Sequence, residues 1–191
     1  MTWEDWDGTQ FDVKFSQSTN FGLTWSAPIR LNDADPNDQF QPSVAAGPGG
    51  AVAVAFYDRR EACPAGASIG PAHVGRTNFC IDTTVQAFRD TGSGAVKVGG
   101  NVRISEFTWD PEQPLQTIDG LDQMACAAHQ NPCTTRSFIG DYFGLAVSAT
   151  KVYAFFVSTH YPSAVIGDQG TPVHYQRQIL ATVARSDLGV G

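Results

Sequence analysis

The stretch SVAAGPGGAVAVAFYD, Ser43–Asp58, is the most informative part of the sequence about the fold. It opens with a run of small residues, continues through Gly47–Gly50 as a turn signal, and ends in the apolar run Ala51–Tyr57. Two short strand-type runs on either side of a glycine-proline turn predict a β-hairpin. The same pattern recurs, with a shorter turn, in GLAVSATKVYAFFVS, Gly144–Ser158. A repeated hairpin predicts a chain built from similar β units.

Further short apolar runs extend this pattern along the chain. They are bounded by Gly, Pro, Asn and Asp residues, and no window carries a capped helical periodicity. The additional predicted strands are Phe11–Ser16, Pro28–Leu31, Thr83–Phe88, Asn101–Ser105 and Gln178–Ala184. The predicted fold class is therefore all-β.

Aligned on the two hairpins, the strands repeat in units of four, here labelled A to D in chain order. The chain then reads B-C-D, A-B-C-D, A-B-C, roughly over residues 1–33, 40–106 and 140–191. Tandem four-stranded antiparallel meanders are typical of β-propeller blades, and about two and a half blades are expected here. Residues 1–191 would then form one partial propeller. Because such a set does not close a ring, we expect missing blades or a second copy of the chain to complete it.

Composition and charge agree with a strand-rich chain and exclude some partners. Charged residues make up 16% of the 191 residues, apolar residues 42%, and there are 19 glycines and 11 prolines. The net charge of −7 repels phosphate backbones and anionic lipids, so nucleic acid is not an expected partner. No apolar stretch reaches the length of a transmembrane helix, so membrane insertion is not expected either.

The four cysteines form two local pairs, Cys63 with Cys80 and Cys126 with Cys133. An even cysteine count favours two disulfides, and this local pairing is one of the three that four cysteines allow. Disulfides indicate an oxidising compartment, which predicts an extracellular or cell-surface location. Residues 1–6 show neither the basic region nor the apolar core of a signal peptide, so the export signal is expected upstream of this chain.

A turn motif lies between the first C and D strands, in the stretch STNFGLTW over residues 18–25. It fits the Asp-box pattern Ser-x-Asp-x-Gly-x-Thr-Trp with asparagine in the Asp place, and its motif residues are Ser18, Asn20, Gly22, Thr24 and Trp25. An asparagine there bonds its own loop, a glycine accepts positive φ, and a tryptophan packs beneath the turn. Residues 89–94 of the second unit keep the Asp-x-Gly part. With the A–B hairpins, almost the whole chain resembles the BNR-repeat, or Asp-box, β-propellers of the sialidase superfamily.

This resemblance implies a propeller, expected to be six-bladed, in an exported protein that recognises glycans or glycoconjugates or hydrolyses glycosides as exo-sialidases do. Sialidases hold the carboxylate of the sugar with arginines and use a tyrosine nucleophile beside an acid/base aspartate. On that pattern Arg59 and Arg60 bind substrate, and Asp58, Asp141 and Tyr142 carry catalysis. The Arg-Ile-Pro element of typical sialidases is absent, as is the part that would complete the arginine cluster. Whether the protein is an enzyme therefore stays open.

The candidate residues fall on the face that a meander gives to its long connections. Residues 58–82, 107–141 and 158–175 would meet there, whereas the A–B turns and the Asp-box lie at the other face, and functional residues usually lie on such loops. The structural alternative is a loop-bracing ion pair at residues 58–60 and a turn with a buried hydroxyl at residues 140–143. Trp109 and Tyr161, with Phe107, are predicted to stack on sugar rings.

Two stretches of the sequence carry residue types that bind metals, but another interpretation is preferred for each. Cys126, His129 and Cys133 offer three zinc-type ligands without a fourth, so a disulfide is preferred. Residues 32–38 are rich in oxygen ligands for calcium but lack the EF-hand spacing, so a solvated turn is preferred. We predict no metal and no cofactor, with calcium as the alternative.

Two functional alternatives remain beside the glycosidase hypothesis. One is a non-catalytic secreted or cell-surface propeller that binds glycans or proteins. The other is a fragment without independent activity. Three histidines fall in the predicted loops without a neighbouring partner in the sequence, namely His73, His160 and His174.

Overall fold

The computed structural model of the chain describes residues 1–33, 36–63, 80–111, 117–118, 121–122 and 139–191. Within these ranges the chain is all-β and carries a single 3-10 turn at Pro48–Gly50. Its strands are β1 (Thr2–Trp6), β2 (Phe11–Phe15), β3 (Ile29–Arg30), β4 (Gln39–Ala46), β5 (Ala51–Asp58), β6 (Asp82–Asp90), β7 (Ala95–Arg103), β8 (Thr117–Ile118), β9 (Leu121–Asp122), β10 (Gly144–Val147), β11 (Lys151–Ser158), β12 (Pro162–Ile166), β13 (Pro172–His174) and β14 (Arg177–Ala184). No helix in the described part is long and apolar enough to cross a membrane.

The strands form three antiparallel meanders and two small hairpins. Sheet 1 has the order β1-β2-β3, sheet 2 the order β4-β5-β6-β7, and sheet 3 the order β10-β11-β14. The pairs β8-β9 and β12-β13 are hairpins in the connections. This arrangement agrees with the predicted strand order of B-C-D, A-B-C-D and A-B-C. The sequence placed the fourth strand of sheet 2 too late, because β7 already pairs from Ala95 and continues through an irregularity in its register with β6.

Sheet 2 is packed on both faces, which explains the unbroken apolar run of β5. Val54 and Phe56 face sheet 1, where they pack with Val13, Phe15 and Leu31. The alternate residues of β5 face sheet 3, and they pack with Val152, Ala154 and Phe156 of β11. A strand that is buried on both faces reads as a continuous apolar run rather than as an alternating one. The hydrophobic core therefore lies in two layers, one on each side of sheet 2.

The Asp-box stretch forms a compact turn between β2 and β3. Oδ1 of Asn20 accepts hydrogen bonds from the Ser18 hydroxyl and from the Thr24 backbone N–H, both at 2.9 Å. Gly22 adopts a φ of +84°, and its carbonyl accepts the indole N–H of Trp25 at 3.1 Å. These bonds satisfy the loop backbone from within the motif, as its sequence predicts. In sheet 2 the corresponding turn is closed by Asp90, whose carboxylate accepts the Gly92 N–H at 2.8 Å.

One disulfide lies within the described residues. Cys63 and Cys80 are bonded, which confirms this predicted pair and ties the end of the β5 loop to the start of β6. A disulfide is compatible with an extracellular location. The second predicted pair, Cys126 with Cys133, lies outside the described residues, as do His73 and His129.

Candidate functional site

The predicted site residues lie at one edge of the three sheets, which we call the loop edge. The strand registers define it, because Gln39 is opposite Asp58, and Asp58 is opposite Asp82. The opposite edge, the turn edge, carries the Asp-box turn and the tight turns after β4 and β10. In sheet 3, β11 reaches the loop edge at Ser158, opposite Arg177. The loops that follow β5, β7 and β11 therefore all leave the sheets at the same edge.

Asp58 is fully buried at the end of β5 and is held by four hydrogen bonds. Its Oδ1 accepts from the Gln39 side-chain amide at 3.2 Å and from the Arg60 backbone N–H at 3.1 Å. Its Oδ2 accepts from Nε of Arg60 at 2.5 Å and from the Thr84 hydroxyl at 2.9 Å. A carboxylate that is buried and bonded on both oxygens braces the loop. This geometry supports the structural interpretation of Asp58 rather than a catalytic one.

The two arginines that follow are also engaged within the protein. The Arg60 guanidinium reaches Asp33 at 3.3 Å and Asn101 at 2.9 Å in addition to Asp58. Burial alone lowers the pKa of Arg60, but the carboxylates of Asp58 and Asp33 outweigh burial and raise that pKa. Nη1 of Arg59 lies 3.2 Å from Asp38, and its guanidinium sits 5.3 Å from the centre of the Phe40 ring. Both arginines are thus used to brace loops.

Asp141 and Tyr142 are exposed at the entry to sheet 3. The Tyr142 side chain is 91% exposed, and Phe143 beside it is buried in the core. Asp141 lines a cleft of about 490 Å³ together with Glu4 and Gln41. The Tyr142 side chain is therefore open to solvent and directly follows Asp141 in the chain, in contrast to the buried hydroxyl of the structural alternative.

Trp109 lies in the core rather than on the surface. It is 1% exposed and packs edge-on against Tyr57 at 6.0 Å between ring centres. Its backbone pairs with Ile81 in an isolated bridge. This burial speaks against the sugar-stacking role that the sequence suggested for Trp109.

Phe107, His160 and Tyr161 form an aromatic cluster at the loop edge. The rings of Phe107 and His160 are stacked at 3.9 Å and nearly parallel. Tyr161 stands perpendicular to both, 5.8 Å from Phe107 and 5.0 Å from His160. Phe107 is 39% exposed, and the other two are partly exposed, so the cluster reaches the protein surface. Burial lowers the pKa of His160, and the neighbouring His174 adds to this effect while Glu106 opposes it.

Buried polar groups hold the two loops that carry this cluster. Asp82 accepts the hydroxyls of Ser105 at 2.7 Å and Thr108 at 2.8 Å, which fixes the loop on both sides of Phe107. On the other loop, the Thr159 hydroxyl bonds the Asp110 carbonyl at 2.5 Å, and Nδ1 of His174 lies 2.8 Å from the Thr159 carbonyl. The two loops that carry the cluster are therefore held in place by hydrogen bonds of buried side chains.

The calcium alternative can be examined at the described part of residues 32–38. Asp33 and Asp38 are paired with Arg60 and Arg59, and Asn32 bonds Asp12 at 2.9 Å and Gln39 at 2.7 Å. In the described ranges no group of three or more metal-ligand side chains comes together. The side chains of this turn instead form part of a polar network between sheets 1 and 2.

Comparison of the chain with known protein families, with curated proteins and with solved structures finds no match in any of the three.

Sequence reasoning missed the contribution of His160. Its stacking partner Phe107 lies on a different loop, and no pattern in the sequence couples the two. The pairing depends on β7 and β11 reaching the same edge, which is a property of the sheets rather than of either segment.

Proposed function

We propose that this chain is part of a sialidase-like β-propeller of an exported protein and that its loop edge recognises glycans. The packing of sheet 2 between its sequence neighbours supports the propeller arrangement, because propeller blades bury their faces against adjacent blades. The hydrogen bonds of the Asp-box turn support the resemblance to BNR repeats. The bond between Cys63 and Cys80 supports export.

The observation that carries glycan recognition is the exposed cluster of Phe107, His160 and Tyr161. Aromatic rings offer an apolar face for the C–H surface of a sugar, and a tyrosine adds a hydroxyl at its rim. Arg59 and Arg60 are engaged by internal carboxylates, so recognition rests on ring stacking rather than on capture of an acidic group. The partner is a glycan or a glycoconjugate, with neither nucleic acid nor membrane insertion involved.

A glycan array probed with the purified chain tests this proposal. Phe107→Ala and Tyr161→Ala each remove a ring, and about a fivefold loss of affinity is expected from about 1 kcal/mol of stacking. Phe21→Ala is the matched control, because Phe21 is a fully exposed phenylalanine on the turn edge. Two results would overturn glycan recognition by this edge. One is that the folded chain binds no glycan, and the other is that neither Phe107→Ala nor Tyr161→Ala weakens binding more than Phe21→Ala does.

Glycoside hydrolysis is a second candidate because Tyr142 is exposed to solvent and directly follows Asp141, which lines a cleft. Release of 4-methylumbelliferone from its sialoside measures this activity. Hydrolysis by the chain that Tyr142→Phe abolishes would favour the enzyme. Absence of hydrolysis alongside retained glycan binding would favour the non-catalytic alternative.

A further inference from the structure

An exposed carboxylate lies beside the aromatic cluster of the loop edge. Glu106 directly precedes Phe107 on the loop after β7. Its negative charge acts on His160, the stacking partner of Phe107, because it opposes the lowering of the His160 pKa. Among the residues that the structure describes, Glu106 forms neither a hydrogen bond nor an ion pair. The cluster therefore carries one negative charge that no bonded partner compensates.

The arginines at the ends of β5 and β7 do not supply the missing partner. Nε of Arg103 lies 2.6 Å from the carboxylate of Asp82, and Arg59 and Arg60 are paired with carboxylates of their own loops. His160 adds no positive charge at neutral pH, because burial, helped by a second histidine, lowers its pKa from the ordinary 6.5. These groups leave the charge of Glu106 available to a ligand.

The aromatic rings favour a ligand charge of the same sign as Glu106 does. The face of an aromatic ring carries negative partial charge, so Phe107 and Tyr161 attract a cation and disfavour a carboxylate. At longer range, the net charge of −7 on the chain also attracts cations. The rings, the neighbouring carboxylate and the net charge therefore all favour a positively charged group at this cluster.

One cation near the cluster favours the opposite ligand charge. Arg177 begins β14, and its guanidinium donates to the carbonyl of Pro162, the residue after Tyr161, at 3.2 Å. No carboxylate is paired with Arg177 in the described ranges. Because it is held by a backbone group rather than placed beside the stacked rings, we expect it to influence the ligand less than Glu106 does. An acidic glycan is the competing prediction.

We propose that the glycan bound at this cluster is an amino glycan whose amine carries a positive charge, and that Glu106 selects it. The sugar ring would stack on the cluster, and the cationic nitrogen would lie against Phe107 or Tyr161 within reach of the Glu106 carboxylate. Such selection rests on the proposed glycan recognition and adds the sign of the ligand charge. An N-acetylated glycan with the same backbone would keep the stacking alone.

Isothermal titration calorimetry with three matched β-1,4-linked pentasaccharides tests this selection on the full chain. They consist of N,N,N-trimethylglucosamine, which has a fixed positive charge, of neutral N-acetylglucosamine and of acidic glucuronate. Measurement at about pH 7.5 keeps His160 uncharged. The cationic pentasaccharide is expected to bind at least about fivefold more tightly than the N-acetylated one. Raising the ionic strength from about 0.05 M to about 0.5 M should reduce this preference.

Glu106→Gln keeps the shape of the side chain and removes its charge, so the preference for the cationic pentasaccharide is expected to fall to about twofold or less. Asp187→Asn is the matched control. It removes one carboxylate from an exposed residue that follows β14 at the turn edge, and the preference should persist. Loss of the preference in both variants would assign it to the net charge of the chain and overturn the role of Glu106.

Four further results would overturn the inference. They are no binding of the cationic pentasaccharide, equal binding of the cationic and N-acetylated ones, a preference that Glu106→Gln leaves intact, and tightest binding of the glucuronate. The last would assign selection to Arg177. Because the glycan array reports recognition whatever the charge of the sugar, a chain that binds on the array without preferring the cation loses this inference alone.

Discussion

At the scale of single residues, Arg185 stabilises the turn edge through hydrogen bonds that its position in the sequence does not indicate. It is 6% exposed, and its guanidinium bonds backbone carbonyls instead of a carboxylate. Nη1 reaches Pro48, Ser148 and Ala149 at 3.0 to 3.2 Å, and Nε and Nη2 reach Val190 at 3.0 and 2.6 Å. One side chain thus connects the turns of sheets 2 and 3 with the C-terminal segment.

Arg185→Lys is therefore expected to destabilise the chain by about 2 kcal/mol or more, because an ammonium cannot reproduce this planar set of donors and leaves buried carbonyls without partners. Chemical denaturation measures the change. Arg89→Lys is the control, since Arg89 makes one exposed bond to the Gly189 carbonyl, and its expected effect is within about 0.5 kcal/mol. Equal effects of the two substitutions would contradict the assigned role of Arg185.

His160 predicts a pH dependence at the loop edge. Its pKa in the folded chain is lowered from the ordinary 6.5, chiefly by burial and also by His174. The unfolded chain therefore takes up the proton more readily, so this residue makes stability fall as the pH drops through 6.5. His160→Phe keeps a ring beside Phe107 and removes the titration. The decline in the free energy of unfolding between about pH 7 and pH 5 should become shallower in this variant. An unchanged slope would show that His160 does not contribute.

At the scale of elements, the turns were the most predictable parts of the chain. The Asp-box stretch and the Gly47–Gly50 turn each contain their own hydrogen-bonding and φ requirements, so local sequence is sufficient to identify them. The strands were also recognisable, because β5 and β11 are long apolar runs. Strand bounds were less accurate, as at β7, where register with β6 rather than local pattern sets the start.

The tight turn after β4 also predicts that a larger residue between sheets 2 and 3 would lower the stability of the chain. A methyl group on Gly47 would lie 2.4 Å from Cγ1 of Val147, so Gly47→Ala is expected to destabilise the chain by about 1–3 kcal/mol through overpacking. Gly100→Ala is the control, because its added methyl group would meet its nearest atom at an ordinary 3.9 Å. Thermal unfolding compares the two. A Gly47→Ala variant as stable as Gly100→Ala would mean that the two sheets lie farther apart.

At the scale of the whole molecule, the order of the strands within the three sheets was predictable, but the site was only partly so. The internal repeat gives the strand order and places the long connections at one edge. It does not show that the charged side chains of Asp58, Arg59 and Arg60 are paired with other groups of the protein. Nor does it show that Trp109 is buried while Phe107 is exposed. Those outcomes depend on contacts between residues far apart in sequence, such as Arg60 with Asn101 and Trp109 with Tyr57.

Glycan recognition at the loop edge is tested most directly by chemical-shift mapping of the isotope-labelled chain with the glycan that gives the strongest array signal. Saturable shifts are expected at Phe107, His160 and Tyr161, with the Asp-box turn at the opposite edge unaffected. Shifts centred on Trp25 and its turn, or none at the aromatic cluster, would contradict glycan recognition at the loop edge.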